Sequence, residues 1–416
     1  MYDPYNEFIK NILPNGLEVH STFWDRPWIA VEIVVHSGGR EDPVEMPGLA
    51  HFVEHVVSQN IPGWEYDKAK EFFENCGGDA SFGSTGYLGT RYKFRVPADA
   101  AIFMEALIIF GSMLLGEQIE KKIERERHII LREFNGRYPF HETLEWEMDI
   151  RKNIFKGHRL ETWNRPLGRP EGFQSVTKGD LQSFYDKHYV PENISLVIVG
   201  GLQTNEIISK LVRSSFGKSK YGKRNKIPKP CWDTLSPVKK LRTVKLSDHV
   251  NFKADQTEYT ATWALPCDFP RQACRVFDHM FRKILFDDIR QKRSLAYRIG
   301  TAVSEFQDVT EYKVNAWINP NATESINEIV RECINMIPLQ QELFEQKLNS
   351  AKQDCLMTDL SGSGLIGKVS TELVLSHRIS TIQEGLDDLN KVTFEQMSEA
   401  IEFLDDERQY TFIIRP

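Results

Sequence analysis

Apolar positions along the chain follow two periods, one of two residues and one of about 3.6, and the alternation between them marks out the elements. Residues 12–20 place Asn15-Gly16 between two strand-like runs, the signature of a hairpin. Residues 29–36 form a nearly continuous β-prone run, which Gly38, Gly39 and Pro43 bring to a stop. A helix is predicted from Gly48 onward, with Gly48 allowing close packing at its start and Phe52, Val53, Val56 and Val57 supplying its core contacts. An amphipathic helix over 66–75 closes at Gly77-Gly78, and 79–96 reads as an edge strand, a turn and a returning strand. A strongly apolar helix over 101–115 follows, then a charged helix around 124–133, an aromatic-rich helical stretch over 138–155 and a loop over 163–168. A helix over 178–188, a buried strand over 194–201 and a helix over 205–216 close this part of the chain.

Residues 217–243 are rich in Lys, Pro and Gly, show little periodicity and read as a linker. Beyond it the order repeats. The run 257–265 echoes 29–36, and 273–289 echoes the helix that starts near Gly48, without its histidines. The strand 312–320 and the helix after it echo 92–97 and its helix, about 220 residues earlier. The expected fold is α+β, with two similar halves over 1–216 and 244–416, each a mostly antiparallel sheet with helices packed on one face.

Composition narrows the partners. At 416 residues, 41% hydrophobic and 27% charged, the chain has the balance of a soluble protein of two ordinary domains. A net charge of -7 argues against nucleic acid, which needs a basic surface, and leaves peptide substrates open, with basic ones favoured. The segment 101–115 is too short to span a bilayer and contains Glu105, so no membrane partner is expected. Cys76, Cys231, Cys267, Cys274, Cys333 and Cys355 are scattered without a C-x-x-C pair and read as free thiols of a reducing compartment. The first residues have neither a secretory nor an organelle signal, and the expected location is cytoplasmic.

The chemistry centres on Gly48-Leu49-Ala50-His51-Phe52-Val53-Glu54-His55. On a helix, His51 and His55 stand one turn apart, leave the same face and can reach one metal ion. The order is H-x-x-E-H, the inverzincin pattern. Two neutral imidazoles suit Zn²⁺, and the neighbouring Glu54 could take a proton from metal-bound water. A third protein ligand is still required. Glu126 and Glu133 lie two turns apart on one face of a second helix, so either carboxylate is a candidate.

Together these segments resemble the M16 (pitrilysin) family of zinc metallopeptidases, in its short-chain M16B form, where H-x-x-E-H is followed some seventy-odd residues later by two glutamates spaced seven apart. The resemblance implies a LuxS/MPP-like metallohydrolase fold and a zinc-dependent endopeptidase with one Zn²⁺ per chain. His51, His55 and Glu133 would be the ligands, Glu54 the general base, and Glu126 an acid that orients or tunes the site. Arg290-Gln291-Lys292-Arg293-Ser294-Leu295-Ala296-Tyr297 resembles the family's R-x-x-x-G-L-x-Y segment, with Ser294 in place of Gly. Arg290 and Tyr297 then match the pair that binds the substrate backbone and helps to stabilise the tetrahedral intermediate, for which a guanidinium and a phenol are suitable donors. At the place of the family's substrate-pairing strand, Asn-Ala-x-Thr, stand Asp79, Ala80, Ser81 and Phe82. Such a strand holds an extended peptide through main-chain hydrogen bonds.

The resemblance further implies a closed chamber of four domains made by two chains, as a homodimer or as a heterodimer with a related subunit, and substrates limited to peptides or unfolded polypeptide. Two other readings compete: a non-catalytic M16-like scaffold or peptide-binding subunit of a heteromeric peptidase, and a metal-binding or sensing module. Degenerate members lose a ligand or the base, and metal storage needs no base beside the ion. His51, Glu54, His55 and Glu133 are all present, which favours hydrolysis.

Overall fold

The computed structural model of the chain describes residues 2–115, 122–138, 141–163, 166–219, 222–224, 238–245, 255–266, 268–357 and 361–416. In chain order its elements are β1 (Ile9–Ile12), β2 (Glu18–Phe23), β3 (Trp28–Val35), α1 (Leu49–Gln59), α2 (Tyr66–Asn75), β4 (Asp79–Thr85), β5 (Thr90–Pro97), α3 (Ala100–Leu115), α4 (Ile123–Arg137) and α5 (His141–Ile154). They continue with α6 (Pro170–Ser175), α7 (Lys178–His188), β6 (Ile194–Gly200), α8 (Thr204–Arg213), α9 (Ser215–Lys218), β7 (Lys240–Lys245), β8 (Thr257–Pro266) and α10 (Arg271–Leu285). A π-helical turn, Phe286–Lys292, leads into β9 (Ala296–Phe306), β10 (Val309–Ile318), α11 (Ile326–Met336), α12 (Gln341–Leu356), α13 (Gly362–Ser376), α14 (Ile382–Asn390), α15 (Glu395–Phe403) and β11 (Tyr410–Arg415).

These elements form two compact units, neither of them one continuous stretch. The first comprises Met1–Pro139, Trp163–Pro228 and Asp359–Thr381, the second Phe140–Thr162, Lys229–Thr358 and Ile382–Pro416. The contiguous halves 1–216 and 244–416 therefore differ from the units by two helices: α5 lies in the second unit and α13 in the first.

In the first unit, the described residues give a six-stranded sheet in the order β1-β2-β6-β3-β5-β4, antiparallel apart from the β2–β6 pair. Alternation along β3 turns Ile29, Val31 and Ile33 to one face, beside Phe94 and Tyr92 of β5. Phe73, Phe82, Phe103 and Phe110 close that core from α2, β4 and α3. The intervening residues of β3 meet α13 on the opposite face, in addition to the helices on the first. There Arg91 reaches Glu32 at 3.4 Å and Thr371 at 3.2 Å. Gly362 of α13 lies so close to Trp28 that a Cβ would overlap the indole ring.

In the second unit, the described residues give a five-stranded sheet in the order β7-β11-β8-β10-β9, antiparallel apart from the β7–β11 pair. Phe277 and Phe281 of α10 pack on Tyr312 of β10. Helix α5 is held by its own chemistry: Asp149 accepts hydrogen bonds from Lys240 at 2.8 Å, Arg242 at 3.2 Å and Tyr410, and Trp146 lies 5.4 Å from the Phe412 ring. Partners this far along the chain leave no periodic signal within α5 itself.

Smaller differences from the sequence reading have local causes. Residues 240–243, expected as linker, pair as β7 with β11, while 220–221 and 225–237 lie outside the described residues. The helix expected over 205–216 is divided at Ser214, whose side chain accepts the Phe216 N–H and caps a second short helix. The aromatic-rich helix begins at His141, and the helix expected over 273–289 passes into the π-helical turn after Leu285. Cys76, Cys274 and Cys333 are free thiols, and Cys231 and Cys267 lie outside the described residues. No helix among the described residues is long and apolar enough to cross a membrane.

Candidate metal centre

Helix α1 begins at a tightly built corner. Gly48 has φ 95°, in the left-handed region that favours glycine, and a Cβ on it would lie 2.8 Å from the Gly168 Cα. Asp42 supplies the cap from six residues upstream: its carboxylate accepts the Gly48 and Ala50 N–H groups, each at 2.7 Å. These are amides at a helix start that lack partners within the helix. Burial pushes the Asp42 carboxyl up to about 7, against the pull of the two amides.

From this start, helical spacing carries His51 and His55 onto one face with their rings 4.6 Å apart. Helix α4 packs against α1 and brings both candidate acids to that face. Glu133 Oε2 lies 3.7 Å from His51 Nε2 and 3.6 Å from His55 Nε2, and the donor atoms of the three residues fall within 4.8 Å of one another. Glu126 has a different place. It is buried, and its Oε2 is 3.2 Å from His55 Nδ1. With the Nδ1 proton donated to Glu126, Nε2 is the ring nitrogen of His55 that faces Glu133. The open choice between the two acids is thus divided by geometry: Glu133 converges with the imidazoles and Glu126 stands behind one of them.

Electrostatics gives the cluster its preference. Burial, reinforced by His55, holds His51 down at about 3, so its imidazole is neutral and has a free lone pair. Burial also lowers His55, but Glu126, Glu133 and Glu54 outweigh it and take the group up to about 10. The bond from His55 in turn lowers Glu133. The cluster therefore favours positive charge at the point where the donors converge, and a divalent cation meets that demand. Two imidazole nitrogens and one carboxylate oxygen are a donor set suited to zinc, so the residues fit the ion that the motif implies.

Glu54 points to the edge of the sheet. Thr85 Oγ1 on β4 donates to Glu54 Oε2 at 3.1 Å. The register of β4 against β5 shifts between Ser81 and Ser84, and within this irregularity Gly83 passes so close to Glu54 that a Cβ would overlap Oε1. Burial pushes the Glu54 carboxyl up to about 7, with His55 and Thr85 acting in the opposite direction.

The four residues expected on the substrate strand lie on β4, which is the edge of the sheet. Asp79 pairs with Arg95 at 2.7 Å. Phe82 is turned inward, stacked 5.2 Å from the Phe110 ring, so its side chain belongs to the core and only its main chain remains for a ligand. Arg290 and Tyr297 belong to the second unit. Arg290 sits in the π-helical turn over the Phe286 ring, and Tyr297, at the start of β9, is 69% exposed. Asp42, Gly83 and Thr85 had no functional role in the sequence reading. Asp42 stands six residues before Gly48, outside the spacing of a capping signal, and like Gly83 and Thr85 it matters only through the fold.

Residues 26–162 match the family described as Insulinase (Peptidase family M16), and residues 175–353 match the Peptidase M16 inactive domain. The chain is 22% identical over 398 residues to the uncharacterized zinc protease YmxG of Bacillus subtilis (strain 168), covering 94% of this chain and 92% of that one. It is 24% identical over 222 residues to the probable zinc protease PqqL of Escherichia coli (strain K12), covering 51% of this chain but 23% of that protein. The fold is similar to the crystal structure of a protease from Helicobacter pylori, with a TM-score of 0.82 and 18% identity over 100% of both chains.

Proposed function

The chain belongs to the M16 peptidase family, and from that premise we propose that it is a zinc-dependent endopeptidase acting on peptides or unfolded segments. The observation that carries the proposal is the convergence of His51, His55 and Glu133 with Glu54 immediately beside them. Zinc, held by the two histidines and Glu133, supplies Lewis acidity when bound. The chain's own residues do the rest. Glu54 accepts a proton from the attacking water and returns it to the leaving amine. A carboxyl raised to about 7 is suited to both transfers near neutral pH. Thr85 fixes one oxygen of that carboxylate and Gly83 leaves room for the other. Glu126 holds the His55 ring in one tautomer and orientation.

The open edge of β4 pairs with an extended peptide in this proposal, which explains tolerance of many sequences, since main-chain hydrogen bonds do not read side chains. Arg290 and Tyr297 face the metal centre of a second chain, where they bind the substrate backbone and support the developing oxyanion. What supports this part is their match to the family's segment and their place outside the unit that carries the histidines. A cytoplasmic setting belongs to the proposal too, supported by the free thiols of Cys76, Cys274 and Cys333 among the described residues. The scaffold reading has one observation in its favour, the match of 175–353 to a domain described as inactive, but none of the metal-centre residues falls in that stretch.

The test is zinc content together with digestion of a mixed peptide library, for the parent protein and for Glu54→Gln. One zinc per chain is expected in both, with cleavage by the parent and a loss of about 10²-fold or more in the variant. A zinc-loaded parent that cleaves nothing, or a variant that cleaves at the parent's rate, overturns the assignment.

A further inference from the structure

Arg127 lies on α4 between the two site acids, one residue after Glu126 and six before Glu133. Its guanidinium joins three helices. It sits over the Phe52 ring of α1, 5.1 Å from the ring centre. It also donates to the carbonyls at the end of α6: to Phe173, to Gln174 at 3.3 Å and to Val176, just beyond the helix, at 2.9 Å. Glu124, on the same helix, accepts from Nε and Nη2 at 3.2 Å each and holds the group in plane.

Carbonyls at a helix C-terminus lack partners within the helix and carry the negative end of its dipole, so a cation is favoured there. A planar group with five donors can meet several of them at once while stacking on a ring, which an ammonium cannot do. Glu124 is mostly exposed, and an exposed ion pair contributes little. The α6 carbonyls and Phe52 are the specific part of the arrangement. Glu133, by contrast, is 44% exposed, and among the described residues its carboxylate meets the two histidines alone. Its position is therefore set by the register of α4 against α1.

We propose that Arg127 is a positioning residue of the metal centre: through Phe52 and the closing carbonyls of α6 it fixes α4 against α1, and with it Glu133 against His51 and His55. This rests on the reading of those three residues as a zinc site. Ligand distances in such sites hold to about 0.2 Å, so even a small slide of α4 is felt at the metal.

The experiment measures Zn²⁺ affinity by chelator competition and the visible absorption of the Co²⁺-substituted protein, for the parent, Arg127→Met, Arg127→Lys and the exposed neighbour Arg132→Met. The readings are taken well below each variant's melting temperature. Expected are a loss of about 10–100-fold in affinity with an altered Co²⁺ spectrum in Arg127→Met, a smaller loss in Arg127→Lys, and parental behaviour in Arg132→Met. A folded Arg127→Met with parental affinity and spectrum overturns the proposal while the zinc reading stands. Should Arg127→Met fail to fold, parental affinity in Arg127→Lys overturns it instead. A parent that binds neither metal removes the zinc reading itself, and the proposal with it.

Discussion

Thr85 Oγ1 donates to Glu54 Oε2 at 3.1 Å, from the edge strand of the sheet to a helix that precedes it by 31 positions. A hydrogen bond to a charged group contributes about 1.5–3 kcal/mol, and here it favours the carboxylate that must accept the proton. Thr85→Val keeps the shape and removes the donor. Its kcat is expected to fall by about tenfold or more with zinc content unchanged, and a parental kcat would separate Thr85 from the chemistry.

Gly83 gives a steric test of the same contact. A Cβ there overlaps Glu54 Oε1, so in Gly83→Ala either the carboxylate or β4 must shift. Misplacement by about 1 Å can cost 10²-fold in rate. The expected result is a loss of that order in kcat with both histidines still binding zinc, and an active Gly83→Ala would show that β4 does not constrain the base.

Removing the ligands should separate from removing the base. His51→Ala and Glu133→Gln each leave two of the three converging donors and are expected to show strongly reduced zinc by elemental analysis. Glu126→Gln keeps a group able to contact His55 Nδ1 but removes its charge, so zinc should bind about 10–100-fold more weakly rather than be lost. Full occupancy in His51→Ala or Glu133→Gln takes that residue out of the ligand set.

Asp149 sets a pH dependence of stability away from the metal centre. Burial pushes its carboxyl up, but the bonds from Lys240, Tyr410 and Arg242 prevail and hold it at about 2, below the ordinary value of 3.8. A depressed folded pKa means a stabilisation that is fully present above the unfolded pKa and lost as the pH falls toward the folded one. Asp149→Asn should therefore melt lower than the parent at pH 7, by about 1–2 kcal/mol after allowance for solvent screening. The gap should close between about pH 4 and pH 2. A difference that stays constant over that range would mean the bonds contribute without the charge.

The arrangement between chains is tested by complementation. Glu54→Gln supplies an intact Arg290 and Tyr297, and Arg290→Ala/Tyr297→Phe supplies an intact base. Subunit exchange between the two should restore activity if the pair serves the partner's centre, because one composite site then carries neither defect. Verified mixed dimers that stay inactive, made from folded and zinc-loaded chains, rule the arrangement out.

The sequence by itself determined what depends on near neighbours. Helical period places His51 beside His55 and Glu126 in line with Glu133, whatever the rest of the chain does, because residues three, four and seven apart share a face by backbone geometry alone. The Asn15-Gly16 hairpin and the span of α2 were legible for the same reason. Tertiary structure decided whatever joins distant segments. It turned Glu126 to His55 Nδ1 and Glu133 to the converging Nε2 atoms, although both acids share one face of one helix. It set Thr85 and Gly83 against Glu54, put Phe82 in the core, and gave α5 to the sheet of β7 and β11 and α13 to that of β3 and β6. Spacing along a helix is fixed by its own hydrogen bonds, whereas the meeting of Thr85 with Glu54 or Asp149 with Lys240 depends on sheet order and register, which no local run of residues encodes.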